Sequence, residues 1–382
     1  MMTDLKNFFE ELYIHEKSWD SHVAQQVRAS LNIPAQKVSE RPYQNAEGEL
    51  SGRDFDHSKK RLYLAPHEGH FFRKCPGTFG AACCNYFVLN LGVQCNMNCS
   101  YCYLQSYVNS PLTQIYTNID DALRELDQTV AQNPKSNFRV GTGETIDSLS
   151  LDDLTLYSQT LVKWFAKHPH LTCEFKTKSD NIKNFIDLEH AGNVVVSFSI
   201  NPQAIVESEE HRTAPLQARL AAARKAADKK FPVAFHIDPM IYVEGWQDLY
   251  ENLVDRVADM FSPEELKWIS VGALRFLPEM KHILRERFGS TQSSNRQPSA
   301  VLTGEMFLGD DGKLRYDQTL RARMFNHVID RFKKHNVKYP VFLCMETPEA
   351  WLNTYAVTPR QVSSVSELFA PIKPLAQTTS SP

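Results

Sequence analysis

The stretch YFVLNLGVQCNMNCSYCYLQ, residues 86–105, places an apolar strand pattern directly ahead of three closely spaced cysteines. Cys95, Cys99 and Cys102 follow a Cys-x3-Cys-x2-Cys spacing. Three thiolates on one short loop can ligate three irons of a cubane and leave the fourth iron with an open coordination site. A structural zinc site asks for four protein ligands, commonly from paired Cys or His elements. No second pair stands at a suitable spacing here, since Cys83 and Cys84 are adjacent. The residues therefore point to a [4Fe–4S] cluster, with a non-catalytic metal-binding module as the alternative.

Downstream of this loop, short apolar runs alternate with amphipathic helical patterns, as in repeated βα units around a mainly parallel sheet. Strands are expected at 86–92, 137–141, 172–178, 194–200, 233–242 and 269–276, with helices near 117–132, 151–168, 180–191, 214–230 and 246–260. The fold class implied is α/β, a partial (βα)6 TIM-type barrel with N- and C-terminal extensions. Residues 1–85 read as an N-terminal extension with a helical start and a polar continuation, and residues 86–288 as the barrel. Residues 289–370 read as a C-terminal α+β segment entered through the polar stretch GSTQSSNRQPSA (289–300). That segment holds two short strands within GEMFLGDDGKLRYD (304–317), a helix at 318–335 and VFLCME (341–346) as a last strand, before a disordered tail at 371–382.

The composition, 42% hydrophobic and 23% charged over 382 residues, is that of a chain able to bury a substantial core. No run approaches the roughly 18 apolar residues needed to span a bilayer, so no membrane association is expected. The start MMTDLKNFFEELYIHEKSWD lacks the apolar block of a signal peptide, which makes a cytoplasmic location the expectation. Eight cysteines with three inside eight positions suit metal ligation better than disulfides. A formal charge of −3 excludes a bulk basic protein, so nucleic-acid affinity would need a local patch.

The cysteine spacing, with the aromatic Tyr101 just before the last cysteine, resembles the radical S-adenosyl-L-methionine superfamily. The resemblance implies that S-adenosyl-L-methionine chelates the open iron, and that an electron from the reduced cluster breaks its sulfonium C–S bond to give a 5′-deoxyadenosyl radical. It also implies that Tyr101 lies near the adenine. Gly141-Thr142-Gly143-Glu144, after the next expected strand, resembles the family's Gly-Gly-Glu segment at the cofactor's amino group. Glycines let a backbone approach a ligand closely and a carboxylate pairs with an ammonium, although an ordinary strand-to-helix turn has the same pattern.

Further motifs narrow the likeness, over roughly residues 70–350, to the spore photoproduct lyase family. They are CPGTFGAACCNYFVLNLGVQCNMNCSYCYLQ (75–105), KTKSDNI (176–182), VSFSINPQ (196–203), EEHRTAPLQARLAAARKA (209–226) and FHIDPMIYVEGW (235–246). The resemblance implies action on thymine-dimer-type DNA lesions, with DNA as partner and a reductant such as flavodoxin or ferredoxin. It assigns Lys178 to the cofactor carboxylate, Ser199 and Asn201 to cofactor contacts, and Tyr103 to hydrogen-atom return. In one respect the chain departs from the pattern: the family's hydrogen-donor cysteine follows the strand that here ends in GTGE, and GETIDSLSLDD (143–153) has none. Cys173 and Cys344 read as inert strand cysteines. That gap keeps a second reading open, the same radical chemistry on a different nucleotide, peptide or small molecule.

Two further features bear on DNA and on catalysis. The segment from Glu209 to Lys230 carries Arg212, Arg219, Arg224, Lys225, Lys229 and Lys230, which could hold phosphates or simply solvate an amphipathic helix. His211 and the His236–Asp238 pair stand where a barrel presents groups to substrate, yet a histidine in an apolar strand is more often a satisfied core residue.

Overall fold

The computed structural model describes residues 5–43, 52–77, 80–108, 110–289, 299, 301, 304–335 and 338–370. Most of the polar 289–300 stretch and the whole 371–382 tail lie outside the described residues.

Among the described residues, seven parallel strands form a curled sheet in chain order: β1 (Tyr86–Leu89), β2 (Arg139–Gly141), β3 (Thr172–Thr177), β4 (Val194–Ser199), β5 (Val233–Met240), β6 (Leu266–Ala273) and β7 (Val341–Leu343). Phe72–Lys74 adds an antiparallel strand on the outer side of β1. The partial TIM-type barrel expected from the sequence is present, and VFLCME extends it by pairing Val271 with Leu343. Strands of a parallel sheet are covered on both faces, so they read as apolar runs without alternation. In β4, VVVSFS, every residue is buried.

The helices that cover the sheet are α1 (Ile119–Gln132), α2 (Tyr157–Ala166), α3 (Leu216–Asp228), α4 (Trp246–Met260), α5 (Met280–Phe288) and α6 (Gln318–Lys334). The expected helix at 151–168 is broken at Leu156, whose φ is 53°. Across the break, the Asp152 carboxylate accepts from the Ser158 backbone N at 2.9 Å and its hydroxyl at 2.6 Å. No helix forms at 180–191, where residues 183–187 make turns. Asn181 and Asn184 instead donate to Asp153 at 3.1 and 3.0 Å, a polar competition that diverts the chain from helical pairing.

The N-terminal residues are less helical than the sequence suggests. Glu11–His15, Ala35–Val38, Arg61–Ala65 and Thr113–Tyr116 form a second parallel sheet, to which Gly92–Val93 adds an antiparallel edge. Glu11–His15 buries Leu12 and Ile14 on one face, the period of a strand. This sheet bears on the site, because its two members Gly92–Val93 and Thr113–Tyr116 bracket the cysteine loop.

Candidate functional site

The cysteine loop lies just beyond the C-terminal end of β1 and is tied to the barrel by a short antiparallel pairing, Cys99 with Glu210 and Asn98 with His211. The backbone N of Ser100 donates to the Glu209 carbonyl at 2.8 Å. Cys95 and Cys99 are buried, Cys102 is half-buried, and none of the three is in a disulfide. Burial pushes the Cys95 thiol up to about 11 and raises that of Cys99 as well. Free thiols in a dry loop are matched to a metal, whose charge replaces the lost protons. Among the described residues no three His, Cys, Asp or Glu side chains converge on a point fit for one ion. In a cubane each thiolate takes its own iron, and the donor set fits that arrangement.

Beside the loop, Tyr101, Asn201, Glu210 and Arg219 form a buried network. The Tyr101 hydroxyl donates to Glu210 Oε1, and Asn201 Nδ2 donates to the same oxygen at 3.0 Å. Arg219 pairs with Glu210 at 2.6 Å and donates to the Ser199 carbonyl at 2.8 Å. Lys178 leaves the end of β3 with Nζ 5.5 Å from the centre of the Tyr101 ring. Burial opposes its charge, but Cys99 and Glu210 more than offset that and hold its pKa above the ordinary lysine value. Lys178, Asn201 and Tyr101 thus converge on one patch at the cysteine loop. Ser199 lies buried on β4 beside His236 of β5, and it is its carbonyl that has a role here.

The glycine segment has a different setting. A Cβ on Gly141 would fall 1.4 Å from the Tyr86 hydroxyl, and one on Gly143 would fall 2.9 Å from the Lys176 carbonyl. Tight packing therefore requires both glycines, whatever they hold. The Glu144 carboxylate pairs with Arg73 at 2.7 Å, and the Tyr103 hydroxyl donates to the Glu144 carbonyl. Tyr103 is 45% exposed and Tyr107 55%, with ring centres 5.9 Å apart. Two exposed tyrosines therefore flank the loop, with the Tyr103 hydroxyl held by the Glu144 carbonyl.

Inside the barrel, Glu174, Ser197, His236 and Ser270 are joined by hydrogen bonds, with His236 Nε2 2.7 Å from Glu174. Despite its burial, Glu174 is held below the usual carboxylate range by His236 and Arg139. His236 is a satisfied core residue. Asp238 pairs with Arg275 at 3.0 Å.

The basic helix is largely spent on intramolecular pairs. Arg219 is wholly buried, Arg224 pairs with Glu265 at 2.6 Å, and Lys229 pairs with Asp187 at 2.7 Å. The two guanidinium groups of this helix, Arg219 and Arg224, are thus engaged within the protein, which favours an amphipathic helix over phosphate binding at those two positions.

The sequence reading passed over Glu210, Asp147, Lys59 and Arg287. Asp147 accepts from Thr177 Oγ1 at 2.7 Å and from the Lys178 backbone N at 2.9 Å, and so sets the turn that carries Lys178. Its signal was an aspartate three residues after GTGE. Arg287 on α5 donates to Asp56 at 2.6 Å and Asn98 at 2.5 Å, and it also bonds Gln105. No local pattern announces it.

With this geometry in view, comparison with known proteins decides the family: the model for spore photoproduct lyase matches residues 77–338. The chain belongs to the spore photoproduct lyase family. Among its relatives, spore photoproduct lyase of Bacillus subtilis strain 168 is 26% identical over 210 residues, which is 54% of this chain and 61% of that protein. The alignment thus spans less than two thirds of the Bacillus protein. The spore photoproduct lyase of Clostridium acetobutylicum is 24% identical over 251 residues, 64% of this chain and 74% of that one. A solved spore photoproduct lyase carrying a cysteine-to-alanine change, with dinucleoside spore photoproduct, superposes with a TM-score of 0.75 at 19% identity, covering 88% of this chain and 98% of its own. Another, with AdoMet and the dinucleoside spore photoproduct bound, superposes with a TM-score of 0.71 at 19% identity, covering 89% of this chain and 99% of its own. These structures share the lyase fold with this chain. No helix among the described residues is long and apolar enough to cross a membrane.

Proposed function

We propose that this chain is a radical S-adenosyl-L-methionine enzyme, lyase-like, acting on a thymine-dimer-type lesion in DNA. The observation that carries the reading is the loop of three free, buried or half-buried thiols, with Glu210 joining Tyr101 and Asn201 beside it and Lys178 over the Tyr101 ring. Family membership agrees with it, as does the fold shared with a lyase that holds both AdoMet and a dinucleoside lesion.

In this reading Cys95, Cys99 and Cys102 hold the [4Fe–4S] cluster. Bound there, the cluster supplies one electron for reductive cleavage of S-adenosyl-L-methionine to a 5′-deoxyadenosyl radical. Lys178 attracts the cofactor carboxylate, a charge-assisted contact. Tyr101 offers a ring face near the adenine, held by its bond to Glu210. Asn201 and Ser199 line the same patch, and the Gly141–Gly143 backbone with Glu144 receives the amino group after Glu144 leaves Arg73. Tyr103, exposed at the mouth, stands ready for hydrogen-atom return where the family's cysteine is missing. The electron comes from an external donor of the flavodoxin or ferredoxin class, and thiol ligands suit the reducing cytoplasm.

Anaerobic reconstitution of wild type beside Cys99→Ala tests this. Wild type should hold near four irons per chain and release 5′-deoxyadenosine, and the variant should lose both. Retained turnover in the variant would reject the assignment. Incubation with a dinucleotide photoproduct then addresses the substrate: 5′-deoxyadenosine without restored thymidines favours the second reading, a different substrate, which the absent donor cysteine motivates.

A further inference from the structure

Lys59 is one of the most deeply buried charged side chains in the protein, at 2% exposure. It follows the helix Gly52–Ser58, in the N-terminal segment that precedes the family match at 77–338. Its Nζ donates to the Cys95 carbonyl at 2.8 Å and sits 4.9 Å from the centre of the Phe55 ring. Three buried or nearly buried arginines elsewhere in the fold have carboxylate partners: Arg219 with Glu210, Arg275 with Asp238, and Arg287 with Asp56. Lys59 has no such ion pair among the described residues. Burial holds the Lys59 pKa below the ordinary lysine value; negative charge on Cys95 and Cys102 works against that, and Arg287 and Arg212 add to it.

A buried ammonium without a counter-ion is strongly unfavourable, so Lys59, placed against the cysteine loop, holds its charge only when an anion is bound beside it. Three thiolates around a [4Fe–4S] core leave that unit anionic, and one-electron reduction adds a further negative charge. A cation fixed beside it stabilises the reduced form more than the oxidised form, and net local charge is one of the quantities that sets such potentials.

We propose that Lys59 is the built-in counter-charge of the cluster and raises its reduction potential, easing electron entry from the external donor. The inference rests on the cluster reading above. It makes Lys59 a positioning and tuning residue contributed by a segment outside the matched family region.

The test is a redox titration of the reconstituted protein, followed by the electron paramagnetic resonance signal of the reduced cluster, for wild type, Lys59→Met, Lys59→Gln and Lys59→Arg. Both neutral variants should hold a reduced-to-oxidised ratio about tenfold lower at a fixed ambient potential, a midpoint about 59 mV more negative for a one-electron couple, while Lys59→Arg stays near wild type. If the neutral variants load no cluster and Lys59→Arg loads a full complement, the charge is needed even for assembly and the proposal stands. Midpoints unchanged in Lys59→Met and Lys59→Gln would overturn it. So would Lys59→Arg shifting, or failing to load, as badly as the neutral variants, because shape rather than charge would then be responsible. Failure of wild type itself to bind a cluster would sink the functional reading instead, so the two failures are distinct.

Discussion

Arg219 and Glu210 meet at 2.6 Å with both side chains wholly removed from solvent, and Glu210 also receives the Tyr101 hydroxyl beside the cysteine loop. Removing one member of a buried pair leaves an unpaired charge, typically at a cost of about 3–5 kcal/mol. Arg219→Met should therefore destabilise the protein by that order in chemical denaturation. A loss below about 1 kcal/mol would mean that water or another cation replaces the guanidinium.

Lys178 reaches the face of Tyr101 with its charge favoured by Cys99 and Glu210. A hydrogen bond to a charged group contributes about 1.5–3 kcal/mol. Lys178→Met should accordingly raise the KM for S-adenosyl-L-methionine roughly ten- to a hundredfold, by the tenfold-per-1.4 kcal/mol relation. Iron content should stay at the wild-type level. An unaltered KM would remove Lys178 from the cofactor site.

The contact of Gly141 with the Tyr86 hydroxyl leaves no room for a methyl group. Gly141→Ala forces that ring or the strand to shift, and overpacking of this kind costs about 1–3 kcal/mol. Thermal unfolding measures it. Wild-type stability in the variant would show that Tyr86 yields freely and would return Gly141 to a purely ligand-facing role.

Asp238 sets an acid limit. Burial disfavours its charge, but Arg275 and then Lys176 outweigh that and hold its carboxyl well below the ordinary value. A carboxyl depressed on folding stabilises the protein fully above its unfolded value of about 3.9, and the contribution shrinks as pH falls from there through the lower folded value. The stability gap between wild type and Asp238→Asn should be constant from pH 7 to about 5 and narrow below about 4. A gap that instead narrows as pH rises would contradict the sign.

Much of the barrel was legible because a parallel βα repeat writes its period locally. The apolar runs at 172–178 and 194–200 became β3 and β4, and the helix expected at 246–260 formed over Trp246–Met260. The reading at 180–191 failed because side chains from Asp152 and Asp153, far from that segment in sequence, capture its asparagines. The basic helix, open between phosphate binding and an amphipathic face, was undecided for the same reason. Charge in a sequence does not disclose its partner, and Arg219 spends its charge on Glu210 inside the protein.

What the sequence determined by itself is the thiol loop and the barrel that carries it, since Cys-x3-Cys-x2-Cys spacing and strand periodicity are properties of a few consecutive residues. The surroundings of that loop were decided only in three dimensions. Lys59 from one flank, Glu210 from the barrel and Arg287 from α5 meet there through contacts of 36, 109 and 189 residues' separation. Packing chooses such partners, because burying a charge demands an opposite charge or acceptor wherever the folded chain can bring one.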